Sequence, residues 1–347
     1  MSSEKSQSAF SLRNLRKYLR DDPTSDNPFD TRVSPSGRAS NHSPAFALWE
    51  SSCPRVFPIW LCSGIVPGAL ALANGVFDGI TCLLCTLLCW ALLTLVCWAD
   101  DIGDVEKGVD GDTRLGPQKP LQRGELTMEQ MKHAVVACIG VVAVLGLGLL
   151  AYSFWRNGLD YTSAAVFLIG GCICLAAALG YTIPKRAYGY FGFGELVAWF
   201  FFGPVAGMGG YFLYAHTIDL AVFFPASSVG LLLAASINLA NIRDIENDLA
   251  FGKLTIAARL GAKRAFVFQC ALIVAAILGF AAFPIIHGMT NPLNYVFLVA
   301  ALPFVKHLVD LKRVVDDNDP EHIRMMMWPY MLAYLALGLA FCICVVL

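Results

Sequence analysis

The sequence is poor in charged residues. Only 15% of its 347 residues are Asp, Glu, Lys or Arg, and 57% are hydrophobic. A soluble globular protein has roughly 25% charged and about 45–50% apolar residues. Because so little polar surface is available, the composition favours a polytopic membrane protein. The formal net charge of −1 gives no reason to expect a nucleic-acid partner.

The first 45 residues lack the apolar run of about 7–15 residues that a secretory signal needs. They are polar and rich in Ser, Asp and Pro, which predicts a mostly disordered tail. Residues 10–20 alternate apolar and basic side chains, which is consistent with an amphipathic helix on the membrane surface or with a tail that has no function. We therefore divide the chain into a tail, residues 1–45, and a membrane domain, residues 46–347.

The chain also lacks a cysteine and histidine cluster suited to zinc or redox chemistry. Most of its twelve cysteines lie inside apolar runs. Cys82 and Cys85 have the spacing of a redox or zinc pair, but no histidine or charged residue lies near them in the sequence. We interpret the cysteines as small packing residues.

Nine stretches are close to the length of about 20 apolar residues that a membrane helix requires. They cover residues 56–75, 79–98, 132–154, 162–182, 193–214, 218–238, 264–286, 292–308 and 325–347. With this division, every Lys and Arg except Arg156 falls in the N-terminal segment or after an even-numbered span. Since basic residues stay with cytoplasmic loops, we expect an all-α, nine-helix protein of the plasma membrane with a cytoplasmic N-terminus.

Carboxylates gather at the end of the second span, although residues 79–98 carry no charge. Asp100 and Asp104 are four residues apart, and Asp101 precedes Asp104 by three. If the helix continues through Asp104, all three carboxylates share a face. Residues 107–115 are rich in Gly and Asp and should leave the helix.

A second polar cluster follows the sixth span, within residues 238–261. In a single helix, four side chains spaced three, three and four residues apart lie on one stripe: Asn238, Asn241, Asp244 and Asp248. Arg243, Glu246 and Asn247 then point away from that stripe.

Both clusters follow even-numbered spans, so we expect them on the same side of the membrane. Facing carboxylates raise one another's pKa unless a cation compensates their charge. Oxygen ligands without Cys or His favour Mg²⁺, which keeps coordination positions free for substrate phosphates. Five basic residues can contact the same anion: Arg114, Lys119, Arg123, Lys185 and Arg186. A diphosphate with a tail among apolar helices is a prenyl diphosphate.

Two other interpretations remain open at this point. Acids beside bases at the end of a span are often solvated loop charges, and this applies best to Glu106, Asp112, Glu125 and Glu246. An ion or proton transporter also uses intramembrane acids, but these tend to lie near the bilayer midplane. The carboxylates of this chain lie at the ends of helices.

These residues resemble the UbiA superfamily of intramembrane aromatic prenyltransferases. The first motif of that family begins Asn-Asp-x-x-Asp. Here Asp100 replaces the Asn, Asp101 and Asp104 match, and the final Asp is Asp110, two residues later than in most members. The same residues also read as the DDxxD motif of soluble prenyl-diphosphate and terpene synthases, but the nine spans argue against those folds.

The longer spacing to Asp110 marks a subfamily. Three segments resemble 1,4-dihydroxy-2-naphthoate polyprenyltransferases: "GDVEKGVDGDTRLGPQKPLQRGELT", "YTIPKRAYGYFGFGELVAWFFFGPVAGMGGYF" and "NIRDIENDLAFGKLTIAARLG". The start of the first span resembles the Trp-x-x-x-Arg-Pro pattern of that family, with Cys53 in the place of the Arg and a matching Arg55. Sister enzymes that use 4-hydroxybenzoate, homogentisate or a chlorophyllide remain the alternative.

The resemblance implies that a polyprenyl group is transferred to 1,4-dihydroxy-2-naphthoate with loss of CO₂ and diphosphate, within a lipid bilayer and with Mg²⁺ as cofactor. It assigns catalysis to Asp101, Asp104, Asp244 and Asp248, and these four with Asp110 would bind the metal. The substrate contacts expected besides the five bases are Asp100, Asp110, Asn238, Asn241 and Tyr188. An aromatic wall for the allylic cation would come from Trp98, Tyr188, Tyr190, Phe191 and Phe193.

Overall fold

The computed structural model describes residues 43–110 and 115–347. Within these residues the chain is helical and has no strand. The predictions made for the polar tail, its surface helix, Asp112 and Arg114 lie outside the described residues.

The nine predicted membrane spans are confirmed within the described part of the chain. Nine helical stretches are long and apolar enough to cross a bilayer: Pro44–Ala73, Gly79–Glu106, Met128–Arg156, Tyr161–Gly180, Gly194–Ala215, Leu220–Arg243, Ala262–Ile286, Pro292–Asp317 and Pro320–Val346. Spans five and six are separate helices, because the first of them ends at Ala215 and His216 adopts a left-handed φ of 54°.

We number the α-helices in chain order. They are α1 (Pro44–Ser51), α2 (Phe57–Ala73), α3 (Gly79–Glu106), α4 (Met128–Arg156), α5 (Tyr161–Gly180), α6 (Gly194–Phe200), α7 (Ala206–Ala215), α8 (Phe223–Arg243), α9 (Ile245–Ala250), α10 (Ile256–Leu260), α11 (Ala262–Ile286), α12 (Leu302–Asp317) and α13 (Ile323–Val346). A π-helical turn, Phe201–Val205, joins α6 to α7. A 3₁₀ segment, Pro292–Ala301, leads into α12.

Helix α8 is the central element of the bundle. In its span 72% of the most apolar window is buried, compared with 6% in the span formed by α5. The hydroxyls of Tyr330 and Tyr334 on α13 donate to α8 carbonyls of Leu232 and Val229, at 2.6 and 2.8 Å. Because both tyrosines are fully buried, these bonds satisfy polar groups that would be costly to leave unpaired. They fix α13 against α8.

Helix α3 continues past the apolar segment and places three acids in its last turns. It ends at Glu106, and Lys107 and Gly108 then form a turn in which Gly108 has a φ of 73°. The prediction that Asp100, Asp101 and Asp104 lie in one helix is therefore confirmed. Because α3 and α8 form the second and the sixth span, their carboxyl ends lie at the same side of a bundle whose spans alternate in direction.

Candidate active site at the ends of α3 and α8

The ammonium group of Lys119 contacts three of the carboxylates. Its Nζ lies 2.7 Å from Asp101, 3.1 Å from Asp100 and 3.2 Å from Asp110. Asp101 and Asp110 are almost completely buried. A charged group at such a site needs a partner of the opposite sign, and Lys119 supplies it. The structure thus brings the predicted residues Asp100, Asp101, Asp110 and Lys119 together.

Asp104 lies in the same helix but pairs with other residues. The Lys253 ammonium is 3.1 Å from its Oδ2, and the Tyr190 hydroxyl donates to its Oδ1 at 2.7 Å. The ammonium also lies 5.2 Å from the centre of the Tyr190 ring, within range of a cation–π contact. Burial would lower the pKa of Lys253, but Asp104, Asp100 and Asp248 raise it above its ordinary value. Lys253 is therefore a fixed positive charge.

The second cluster is not a single helix as predicted. Helix α8 ends at Arg243, Asp244 lies at the break, and α9 begins at Ile245. Arg243 forms a two-point ion pair with Asp244, with distances of 2.8 and 2.6 Å. Asn247 donates to the carbonyl of Val109 at 3.0 Å and joins the two clusters. The prediction that Arg243 and Asn247 point away was wrong. Arg243, the last residue of the helix, reaches the carboxylate of its neighbour Asp244, and the break at Asp244 rotates Asn247, which follows it.

Asp248 lies next to Lys253 in the described structure. Thr255 donates its hydroxyl to Asp248 at 3.2 Å, and the Lys253 amide donates to the Asp248 carbonyl at 2.7 Å. Burial raises the pKa of Asp248 to about 7, although Lys253 acts in the opposite direction. A further cation beside this carboxyl would lower its pKa and favour the ionised form.

The two predicted asparagines have different surroundings. Asn238 donates to Gln269 at 2.7 Å and to the carbonyl of Ala265 at 3.1 Å, so its amide is turned towards α11. Asn241 donates to Glu195 at 2.8 Å. The expected four-residue stripe does not form, because Asn238 is bonded to α11 and Asn241 to Glu195, and the helix ends before Asp244. Asn238 has a packing role in this structure.

A short turn that follows α5 supplies the tyrosine of the site. The turn is the 3₁₀ segment Tyr188–Phe191. Tyr188, the predicted substrate contact, donates to the carbonyl of Ala177 at 2.9 Å, whereas Tyr190 reaches Asp104. The Leu254 amide donates to the Tyr190 carbonyl at 3.0 Å, so the turn is attached to the segment that carries Lys253.

The other candidate aromatic residues are spread over several places. Trp98 donates to the carbonyl of Leu48 at 3.1 Å and so faces α1. Phe191 and Phe193 are exposed. Of the five residues proposed for the aromatic wall, Tyr190 is the one that the structure bonds to a carboxylate of the site.

Of the other predicted bases that the structure describes, Arg123, Lys185 and Arg186 lie outside the carboxylate clusters. Arg123 binds Glu50 at 2.7 Å and Glu125 at 2.9 Å, which ties the loop after α3 to α1. Lys185 and Arg186 are exposed on the turn that follows α5. Their role as anion contacts stays a prediction.

Gly103 allows the turn after α5 to approach α3 directly. A Cβ at this position would lie 2.5 Å from the Thr182 Cβ and 2.7 Å from its carbonyl. The Thr182 hydroxyl donates to the Ala99 carbonyl at 2.9 Å, and Lys107 donates to the Thr182 carbonyl. Because Gly103 has no side chain, the backbone at Thr182 can pack directly against the part of α3 that carries Asp101 and Asp104.

The donor set fits Mg²⁺ bound together with a phosphate group. Within the described residues, Asp100 Oδ1 and Asp101 Oδ2 are buried oxygens without a hydrogen-bond partner. The same part of the chain holds no ready-made set of three metal-binding side chains, because ammonium groups stand between the carboxylates. Since Mg²⁺ binds through one or two carboxylates and substrate phosphates, these oxygens suit a metal that arrives with a diphosphate.

Residues 61–337 match the family described as "UbiA prenyltransferase family". The chain belongs to this family. The resemblance inferred from the Asp-rich motifs is therefore confirmed, and the chain is a prenyltransferase of the UbiA family.

Curated relatives cover most of the chain. A protein named 1,4-dihydroxy-2-naphthoate octaprenyltransferase from Escherichia coli (strain K12) is 34% identical over 81% of this chain and 89% of its own length. A protein of the same name from Haemophilus influenzae is 33% identical over 75% and 84%. A 2-carboxy-1,4-naphthoquinone phytyltransferase from Synechocystis is 27% identical over 65% and 69%.

Solved structures support the fold of this UbiA member. A UbiA homolog from Aeropyrum pernix K1 has a TM-score of 0.57 at 19% identity and covers 82% of this chain and 97% of its own. A digeranylgeranylglyceryl phosphate synthase has a TM-score of 0.53 at 16% identity, with coverages of 87% and 98%. The predicted UbiA-like helical bundle is confirmed.

Proposed function

We propose that this UbiA member is a 1,4-dihydroxy-2-naphthoate polyprenyltransferase that makes demethylmenaquinol, the reduced form of demethylmenaquinone. The observation that carries the proposal is the joining of two carboxylate clusters by Lys253 at one end of the spans. Such a site would hold a charged headgroup at the membrane surface and leave an isoprenoid tail among apolar helices. The names of the curated relatives supply the acceptor.

The diphosphate is held by basic residues and by metal-binding carboxylates. Lys119 and Lys253 lie among the acids and can form charge-assisted hydrogen bonds to phosphate oxygens. Asp101, Asp104, Asp110, Asp244 and Asp248 would hold Mg²⁺. When bound, the metal neutralises the diphosphate and makes it a better leaving group.

The reaction balances without an added oxidant or reductant. The bond between the prenyl carbon and the diphosphate oxygen breaks, and its electron pair leaves with the diphosphate. The ring carbon that bears the carboxylate forms a bond to the prenyl carbon. The carboxylate then leaves as CO₂, and its bonding pair restores the aromatic ring.

Residues of this chain would protect and orient the cation. The Tyr190 ring lies 4.2 Å from the Lys107 ammonium and 5.2 Å from the Lys253 ammonium, and its hydroxyl donates to Asp104. Tyr190 would therefore position the charged groups that face the leaving diphosphate. The turn Tyr188–Phe191 is attached through Leu254 to the segment of Lys253. Exclusion of water by this turn would protect the cation from hydrolysis.

The spacing of the first Asp-rich motif also supports the acceptor that the names of the relatives suggest. Asp110 contacts the same ammonium as Asp101, so this acid lies in the site despite the longer spacing that precedes it.

The plasma-membrane location and a cytoplasmic N-terminus belong to the same proposal, and the distribution of Lys and Arg supports this orientation.

The test uses membranes that contain the full-length protein. They are incubated with Mg²⁺, a prenyl diphosphate and either 1,4-dihydroxy-2-naphthoate or 4-hydroxybenzoate, and the lipids are analysed by mass spectrometry. We expect a prenylated naphthoquinol only when Mg²⁺ is present. A preference for 4-hydroxybenzoate would assign the chain to a sister enzyme.

Two acids of α3 provide matched variants for this assay. Asp101→Asn removes a buried charge that contacts Lys119 and should abolish product formation. Glu106→Gln alters an exposed acid that pairs with Lys132 and should leave product formation unchanged. Equal activity of the two well-expressed variants would remove Asp101 from the site.

A further inference from the structure

A groove outside the candidate active site lies between α12 and α13. Its volume is about 450 Å³. The groove opens near the connection between the eighth and ninth spans, at the 3₁₀ turn Pro320–His322. Since this connection follows an even-numbered span, it lies on the same side of the membrane as the carboxylate clusters.

One end of the groove carries an excess of positive charge. Lys306 and Arg313 both face a single acid, Asp310, at 2.5 and 3.9 Å. Their side chains are 82% and 74% exposed. Because two cations share one carboxylate, this end can bind a further anionic group with little loss of existing contacts.

The α13 side of the groove is apolar. Met325, Met326 and Pro329 form its wall on the α13 side. Leu302 and Val305 on α12 are also largely exposed. In a membrane protein such side chains are covered by lipid tails, so the groove connects an acyl-chain environment with a basic rim.

The floor of the groove has an unused polar atom. His307 is 7% exposed, and its ring lies 5.0 Å from the Tyr330 ring between centroids. Within the described residues its Nε2 has no hydrogen-bond partner. Buried polar atoms of this kind usually have a partner, and a water or ligand oxygen at the floor would supply one.

We propose that this groove binds the headgroup phosphate of an anionic phospholipid. The phosphate would contact the exposed sides of Lys306 and Arg313, away from Asp310, and the glycerol and first acyl carbons would lie along Met325 and Pro329. Basic pockets between membrane helices bind lipid headgroups in this way. A free phosphate ion would use the basic rim alone and leave the apolar wall uncovered, so a lipid fits the groove better.

The proposal is tested by the binding of labelled lipids to the full-length protein. The protein is placed in phosphatidylcholine nanodiscs that contain a trace of spin-labelled phosphatidylglycerol or spin-labelled phosphatidylcholine, and the immobilised fraction is measured. We expect immobilisation to favour phosphatidylglycerol by about fivefold or more, because each base near the surface strengthens the binding of anionic lipid. Inorganic phosphate at millimolar concentration should not remove this preference.

Variants of α12 and α13 separate a site from general surface charge. Lys306→Gln with Arg313→Gln should abolish the preference, and so should Met325→Glu, which adds an acid to the apolar wall. Lys312→Gln is the control, since Lys312 pairs with Asp316 and does not line the groove. Prenyl transfer in phosphatidylcholine nanodiscs verifies that each variant is folded.

Three results would overturn the proposal. The first is equal immobilisation of the two lipids by the unchanged protein. The second is a preference that survives in the folded double variant, or that Lys312→Gln removes equally. The third is displacement of phosphatidylglycerol by inorganic phosphate, which would identify a site for the free ion.

Discussion

At the scale of single residues, Lys253 determines how the two carboxylate clusters are connected. Its side chain contacts Asp104 of the first cluster and its amide contacts Asp248 of the second. A buried ammonium is stable only with such partners, and removal of one member of a buried pair leaves the other charge uncompensated. The same ammonium is positioned to bind a diphosphate oxygen.

Lys253→Met should therefore reduce prenyl transfer by on the order of 10²-fold, the usual effect of removing one preorganised electrostatic contact. The KM for prenyl diphosphate should rise, because a positive charge beside the phosphate is lost. Steady-state assays at saturating naphthoate measure both quantities. Lys312→Met is the control, because this lysine is exposed and pairs with Asp316. Wild-type turnover and KM in the Lys253 variant would contradict this role.

The sequence revealed the acids of the site more readily than the lysine. Asp100, Asp101 and Asp104 are close in sequence, and helical spacing alone places them on one face. Lys253 and Asp104 are 149 residues apart, so no local pattern predicts their contact. The only signal was its position five residues after Asp248, in a segment that resembles the family.

At the scale of elements, the extension of α3 beyond the apolar segment delivers the first cluster to the site. Its position depends on the close approach of Thr182 to Gly103. The hydroxyl of Thr182 bonds to the α3 carbonyl of Ala99, which fixes the turn after α5 against the helix. Because of this contact, backbone atoms of Thr182 occupy the space that a side chain at position 103 would need.

Gly103→Ala should lower both activity and stability. The added methyl must displace backbone atoms, and overpacking of this kind typically costs about 1–3 kcal/mol. Prenyl transfer and the thermal unfolding midpoint in detergent report the two effects. Gly140→Ala is the matched control, since a Cβ there meets no atom within 4 Å. Gly103 would have no role in packing if both variants behaved like the unchanged protein.

Helix α8 shows that regular spacing of polar residues does not predict where a helix ends. The spacing from Asn238 to Asp248 fits one helical face, but the helix ends at Arg243. Asn238 then bonds to Gln269 on α11 rather than joining the acids. A regular spacing cannot reveal a break of one residue, because the break depends on tertiary contacts such as that of Asn247 with Val109.

At the scale of the whole molecule, composition and the positions of basic residues were enough to predict the number of spans. The apolar runs are long, and the structure lengthens most of them, with eight residues or more added to the first, second and eighth spans. Exact ends were not predictable, since polar residues such as Asp100 and Lys312 continue helices beyond the apolar part.

Side-specific labelling tests the orientation of the bundle. Thr290 and Glu321 are exposed and lie at opposite ends of the eighth span. In a background without the native cysteines that retains prenyl transfer, Thr290→Cys and Glu321→Cys should react with an impermeant maleimide from opposite sides. Glu321→Cys should react from the cytoplasm. Reaction of both variants from one side would exclude the nine-span topology.

The most direct test of the proposed function follows the carboxylate of the acceptor. If the ring carbon that bears this group attacks the prenyl carbon, loss of CO₂ must accompany every transfer. Membranes with the protein, Mg²⁺ and a prenyl diphosphate are given 1,4-dihydroxy-2-naphthoate labelled in its carboxyl group. We predict one labelled CO₂ for each prenylated quinol formed. A prenylated product that keeps the label would contradict the assignment.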